Sequence, residues 1–160
     1  MKDLMKHLDI LISRYPVLEE SRQDIEKAYL VLEECYREKK KVLIAGNGGS
    51  AADAEHIVGE LMKGFKLPRK PDIIFSKKLI EKNEELGSVL AENLQGALPA
   101  IALDGHVALS TAYMNDCEPL LCFAQQVNGY GGEGDVFFGI PQAETVKMFC
   151  MRLLRHMQKG

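Results

Sequence analysis

Five consecutive residues, Gly46-Asn47-Gly48-Gly49-Ser50, constrain this chain more than any other stretch. The run before them, Val42-Leu43-Ile44-Ala45, is apolar on both faces, and Ala51-Ala52-Asp53-Ala54-Glu55-His56 after them is a strong helix former. Strand, glycine turn and helix in that order open a doubly wound α/β fold. Glycines let the backbone turn sharply after a strand and let a ligand approach without a Cβ in the way. The helix that follows offers unpaired N–H groups and a positive dipole end to anionic or hydroxylated ligands. A second apolar run, Leu98-Pro99-Ala100-Ile101-Ala102-Leu103, ends at Asp104-Gly105. The third, Asp135-Val136-Phe137-Phe138-Gly139-Ile140, follows Gly131-Gly132-Glu133-Gly134. Strands bounded this way and separated by helical stretches pair in parallel through right-handed crossovers. The expected architecture is a three-layer α/β/α doubly wound parallel sheet, with 42–45 as a central strand.

The first forty residues read as a helical N-terminal extension. Leu4, Leu8, Leu11 and Ile12 make a short apolar stripe before Pro16, and Ile25, Ala28, Tyr29, Leu32, Cys35 and Tyr36 make a longer one. Ser21 followed by Asp24 resembles a capping box at the start of the second helix. Lys39, Lys40 and Lys41 oppose the negative end of that helix dipole and are expected to be solvated. Residues 65–96 fit the strand–helix scheme poorly, because Pro68 and Pro71 break a helix and the stretch is too long for an ordinary connection. An insertion with helix of its own is expected there. Its basic residues (Lys63, Lys66, Arg69, Lys70, Lys77, Lys78 and Lys82) read either as a solvated or subunit-contacting excursion or as a positive rim for a phosphorylated substrate.

With 160 residues the chain fits a single domain, 1–160. Lys plus Arg is 20 against 23 for Asp plus Glu, a net charge of -3, which gives no broad attraction for nucleic acid. No apolar run reaches the ~18 residues that span a bilayer. Nothing at the start resembles a secretory leader. Cys35, Cys117, Cys122 and Cys150 show no C-x-x-C pairing, and a cytoplasmic protein with reduced thiols is the expectation. The apolar stripes of the N-terminal helices exceed what three strands can cover, so a homo-oligomer, a dimer or a homotetramer, is expected.

Gly46-x-Gly48-x-x-Ala51 satisfies a loose dinucleotide fingerprint. That site also wants an acidic residue ~20 positions on, at the tip of the next strand. The next strand here ends near Asp104, so dinucleotide binding is disfavoured. The helix after the loop carries Asp53, His56 and Glu60 on one face, with His56 and Glu60 one turn apart. Such a pair suits a shared divalent metal, zinc being the usual choice for mixed nitrogen and oxygen ligands. A carboxylate in a sugar pocket can instead move a proton between adjacent carbons. The spacing equally suits a polar surface face. His106, after the second strand, either faces a site or bonds backbone in its turn. His7 is expected to be solvated, and Cys117 and Cys122 to be small core hydrophobes.

The stretch VLIAGNGGSAADAEHIVGELMKG (42–64) resembles the signature of sugar isomerase (SIS) domains of the phosphoheptose isomerase type. LPAIALDGHVALSTAYMND (98–116), then FAQQV and GEGDVFFGI (123–140), continue the likeness in order, and PQAET (141–145) resembles the start of the family's last helix. The resemblance implies an aldose–ketose isomerase that binds a phosphorylated sugar and converts sedoheptulose 7-phosphate into D-glycero-D-manno-heptose 7-phosphate. It places Asn47, Gly48, Gly49 and Ser50 on the sugar-contacting loop, and Asn115 and Asp116 on the pair that lines the substrate. It makes His56 and Glu60 zinc ligands and Glu60 also the catalytic base. The sequence departs from the family after Ile140, where a serine- and threonine-rich phosphate loop and further strands are replaced by Pro141 directly. A segment between 140 and 141, part of the C-terminal half, is therefore expected to be missing. His156 lies one position from where the family's last histidine falls and is the candidate acid partner. These departures imply that the 160-residue chain lacks isomerase turnover, and leave a non-catalytic SIS module as the alternative. One relative of that kind binds the bacterial replication initiator.

Overall fold

The computed structural model describes residues 2–140. Helix α1 (Lys2–Arg14) buries Leu8 and Ile12, one turn apart on the same side. Pro16 opens a 3-10 turn that runs to Ser21, and α2 spans Arg22–Arg37. The expected capping box does not form. Ser21 is still in the turn geometry (φ -97, ψ 3) and its side chain caps nothing. The Arg22 guanidinium instead ties the turn to α1, donating to Glu19 at 2.9 Å and Asp9 at 2.8 Å. Of the α2 stripe, Cys35 is buried and Tyr36 half-buried, while Tyr29 and Leu32 stay exposed.

Lys39 turns the chain in the left-handed region (φ 57) into strand β1, Val42–Gly46, and every residue of β1 is buried. Helix α3 (Gly49–Met62) follows, then α4 (Ile73–Lys82), α5 (Glu84–Asn93) and the short strand β2, Ala100–Ala102. A 3-10 turn (Leu103–Gly105) leads to α6 (Val107–Asp116), and α7 (Cys122–Tyr130) leads to β3, Val136–Ile140. The sheet order is β2-β1-β3 with both pairings parallel, Val42 aligned with Ala100 on one side and Val136 on the other. The central place expected for 42–45 is the observed one.

Alternation along β1 divides its side chains between two cores. Val42 and Ile44 pack with Cys35 of α2, Ala54 of α3 and Ala100. Leu43 and Ala45 pack with Leu103 and with Val127 of α7. That gives the three layers. Burying a side chain such as Leu43 or Ile44 contributes about 1.5–3 kcal/mol each, so this one strand anchors both faces.

The 65–96 insertion is a helical hairpin in which α4 and α5 pack chiefly on each other. Asp72 caps α4 by accepting from the amides of Ile74 and Phe75, and Asn83 caps α5 by accepting from Leu86. Gly87 lies so close to α4 that a Cβ there would stand 2.3 Å from the Leu79 carbonyl oxygen. The neck is tied by Arg69, which donates to the carbonyls of Gly96 (2.7 Å) and Leu61 (2.5 Å). Arg69 therefore belongs to the hinge of the hairpin, while the six lysines named with it are exposed.

Lys41 departs from the solvated end expected of the three lysines. Its ammonium lies 2.5 Å from Asp135, whose carboxylate also accepts from the amides of Lys41 (3.0 Å) and Gly132 (2.8 Å). Burial pushes the Asp135 carboxyl up, but the Lys41 side chain and the two amides outweigh it and hold it below the usual carboxylate range. A lowered folded pKa stabilises the fold above the unfolded value of about 3.9, and this is lost as pH falls through the folded value. Asp135→Asn should thus cost about 2 kcal/mol near neutral pH. Urea unfolding of the two proteins should show that gap narrowing as the pH drops below about 4; a gap independent of pH would refute this role for the carboxylate.

Candidate functional site

The turn from β1 into α3 has no room for a side chain at its first residue. A Cβ on Gly46 would stand 2.3 Å from the carbonyl oxygen of Ser50. Gly48 takes φ 57 and ψ -122, a conformation L side chains rarely adopt. The carbonyls of Asn47 and Gly48 accept the amides of Ser50 and Ala51, each at 3.1 Å. Ser50 is buried, while Asn47, Gly48 and Gly49 are exposed. The loop thus faces outward beyond the carboxyl end of β1, with the positive end of α3 behind it. In an open sheet of order β2-β1-β3 the ligand crevice falls between the carboxyl ends of β1 and β3, where the crossovers diverge. Ile140, the last described residue, pairs with Gly46 at that point.

Helix α3 turns Ala54, Ile57, Val58 and Leu61 to the core. His56 and Glu60 occupy another flank. Their Nε2 and Oε1 atoms are 3.9 Å apart, with the His56 side chain 78% exposed and that of Glu60 39%. Metal bonds of about 2.0–2.2 Å allow two ligand atoms at that separation to share one ion. Among the described residues no third histidine, cysteine or carboxylate joins them. Asp53 is exposed on the preceding turn.

Asn115 and Asp116 are exposed in the last turn of α6, whose main packing partners are α7 and the 3-10 turn Pro119–Leu121. Among the described residues no side-chain hydrogen bond links them to the glycine loop. His156 lies outside the described residues. Cys122 is buried as expected, but Cys117 is exposed.

Two residues at the end of β2 carry more than the sequence led us to expect. His106 bonds no backbone through Nε2, which is buried without a partner; its ring lies against Tyr130, centroids 5.3 Å apart. Asp104 buries both carboxylate oxygens without a hydrogen bond. Burial pushes its carboxyl above the usual range, and the charge of Glu55 adds to the rise. The amides of Asp104 and Gly46 and the nearby His106 pull the other way. Those amides lean toward the carboxylate without reaching hydrogen-bond geometry. Polar residues directly after an apolar strand were the available signal, and they read equally well as an ordinary turn.

The fold and this loop define a class. The SIS domain family matches residues 10–101, more than half of the chain, and the chain belongs to that family. A phosphoheptose isomerase from a Nitratiruptor species is 35% identical over 139 residues, which is 87% of this chain and 59% of that protein. The phosphoheptose isomerase of Clostridium acetobutylicum is 35% identical over 118 residues, 74% of this chain and 47% of that protein. The chain therefore spans only 59% and 47% of the lengths of these relatives. Two solved structures share the fold at 23% identity. Phosphoheptose isomerase GmhA from Neisseria gonorrhoeae has a TM-score of 0.55, covering 93% of this chain and 70% of that one. The phosphoheptose isomerase from Francisella tularensis has a TM-score of 0.61, covering 95% and 71%.

The loop geometry predicts opposite effects for two glycines. Gly46→Ala must displace the Ser50 backbone and should destabilise the protein by about 3 kcal/mol. Gly59, inside α3 with open space where a Cβ would be, should gain about 0.5–1 kcal/mol on replacement by Ala. Denaturant unfolding of both variants checks the pair; a mild Gly46→Ala would show that the turn can relax.

Proposed function

We propose that this chain is the phosphosugar-binding part of an aldose–ketose isomerase that, with a phosphate loop and further strands, converts sedoheptulose 7-phosphate into D-glycero-D-manno-heptose 7-phosphate. The observation that carries the reading is the exposed loop Asn47–Gly49 at the carboxyl end of the central strand, with Glu60 on the helix which that loop begins. The relatives named phosphoheptose isomerase support it.

Ketose and aldose are isomers, so the reaction moves protons and leaves the phosphate bonds intact. Glu60 would take a proton from the hydroxyl-bearing carbon beside the carbonyl, leaving an enediol. An acid partner would return a proton to the former carbonyl carbon, while the hydroxyl proton moves between the two oxygens. A well-placed acid or base is worth about 10² to 10⁴ in rate. Asn47 to Ser50 and Asn115–Asp116 would hold the sugar, and His156 is the candidate acid partner. His56 and Glu60 would hold zinc, which supplies polarisation of the sugar carbonyl when bound.

A second reading has its own observation. Pro141 follows Ile140 where the resemblance calls for a serine- and threonine-rich phosphate loop. Each charge-assisted hydrogen bond to a phosphate contributes about 1.5–3 kcal/mol. A chain without that loop suits a non-catalytic binding module, or an isomerase whose turnover depends on a further segment.

Sedoheptulose 7-phosphate isomerisation, assayed with the 160-residue chain and with a version carrying a phosphate loop and its following strands after Ile140, should show turnover only in the longer protein. Equal turnover from both would put the phosphate site elsewhere. Inactivity of both, with unmoved amide resonances at Asn47–Gly49, would favour the non-catalytic module.

We also propose a dimer or tetramer packed through the N-terminal helices, supported by the exposed Tyr29, Leu30, Val31 and Leu32 on α2. Light scattering at micromolar concentration should give a mass of at least twice 17.8 kDa; a monomer would sink it.

A further inference from the structure

Asp104 and His106 stand apart from the glycine loop, the α3 pair and the Asn115–Asp116 pair. Three of their polar atoms, both carboxylate oxygens and Nε2, are buried without a partner. Buried polar groups in folded proteins are nearly always hydrogen-bonded, so three orphans within three residues call for a cause. Their place is suggestive. They follow the carboxyl end of β2, on the same end of the sheet as the glycine loop but across β1 from the β1–β3 crevice. The turn Leu103–Gly105 packs on both β1 and α3, and the amide of Gly46, where the glycine loop departs, leans toward Asp104.

The chemistry of the missing partner can be bounded. An anion would meet the Asp104 carboxylate and that of Glu55, whose Oε1 lies 3.7 Å from where a Cβ on Gly105 would stand. A metal ion finds no convergent trio of histidine, cysteine and carboxylate among the described residues. A hydroxyl group fits both members, since it donates to a carboxylate and accepts from or donates to an imidazole nitrogen. Gly105, between the two residues, is exposed and has no side chain, so the backbone beside these buried atoms is the part that a ligand can reach.

We infer that Asp104 and His106 form a subsite for the neutral, hydroxyl-bearing part of a carbohydrate, set beside the glycine loop. The inference rests on the phosphosugar reading, because one ligand would touch both places. In this subsite Asp104 orients a hydroxyl and takes no part in the proton transfer assigned to Glu60.

The test is an amide-resonance titration of the whole chain with sedoheptulose 7-phosphate, and with inorganic phosphate as control. The sugar phosphate should shift Asp104 and Gly105 together with Gly48 and Gly49, and inorganic phosphate should leave Asp104 and Gly105 unmoved. Asp104→Ala should weaken sugar-phosphate binding about tenfold, and Asp104→Asn should restore part of it. Asp104→Asn should also leave the melting temperature unchanged or raised, because the buried carboxylate makes no hydrogen bond and the amide relieves its burial cost while keeping an acceptor oxygen for the nearby amides. Loop amides that respond while Gly105 stays still would overturn the subsite and leave the phosphosugar reading standing. A fall of about 5 °C or more in Asp104→Asn would overturn it in favour of a structural carboxylate. Silence at both places would remove both readings.

Discussion

Everything described in this fold hangs on β1 being buried on both faces and ending in a residue with no side chain. Two-sided burial forces the strand to the centre of the sheet, because only there can parallel neighbours satisfy its backbone and helices cover both its faces. The missing side chain at Gly46 lets the backbone of Ser50 close over the strand end, where a Cβ would collide with its carbonyl at 2.3 Å. Strand and helix are thereby joined by a turn too tight for any other residue at its start. That turn makes the loop, and the loop makes the candidate site.

The site inherits its limits from the same arrangement. Asn47 to Gly49 are exposed beyond the carboxyl end of β1, and the α3 pair lies further along the helix. A helix can present two ligands four residues apart from its own geometry, but a tetrahedral metal or an acid–base pair needs groups from other elements. The described residues thus supply one wall of the proposed sugar site, and the chain spans only 59% and 47% of the lengths of the two isomerases compared with it. The polar residues at the end of β2 extend that wall sideways, along the carboxyl edge of the sheet.

Charge takes two different forms in this molecule. Lys41 and Asp135 lock β3 to the chain entering β1, since the carboxylate accepts from the side chain and amide of one residue and the amide of another. The lysines of the α4–α5 hairpin lie in solvent, and exposed charges of that kind contribute little to stability. Arg69 shows the difference within one segment. It reads as part of a basic run, yet it donates to two main-chain carbonyls and closes the neck of the hairpin.

The sequence by itself determined the strand–glycine–helix opening, the three parallel strands, and the helices before β1 and within residues 65–96. Each is written in local pattern: a two-sided apolar run, glycines where no side chain fits, prolines where a helix must stop. It also placed His56 and Glu60 within reach of one another, because helical spacing alone fixes that distance. Tertiary structure decided the rest. The Ser21–Asp24 pattern lost to the Arg22 contacts with α1, which set a turn geometry the cap cannot use. Lys41 found a partner 94 residues away, and Cys117 stayed outside while Cys122 went in. Both Asp104 oxygens and His106 Nε2 became buried without partners only where the turn after β2 packs against β1, α3 and α7. Local pattern fixes backbone conformation within a few residues, whereas burial and pairing depend on which distant segments the fold brings to the same place.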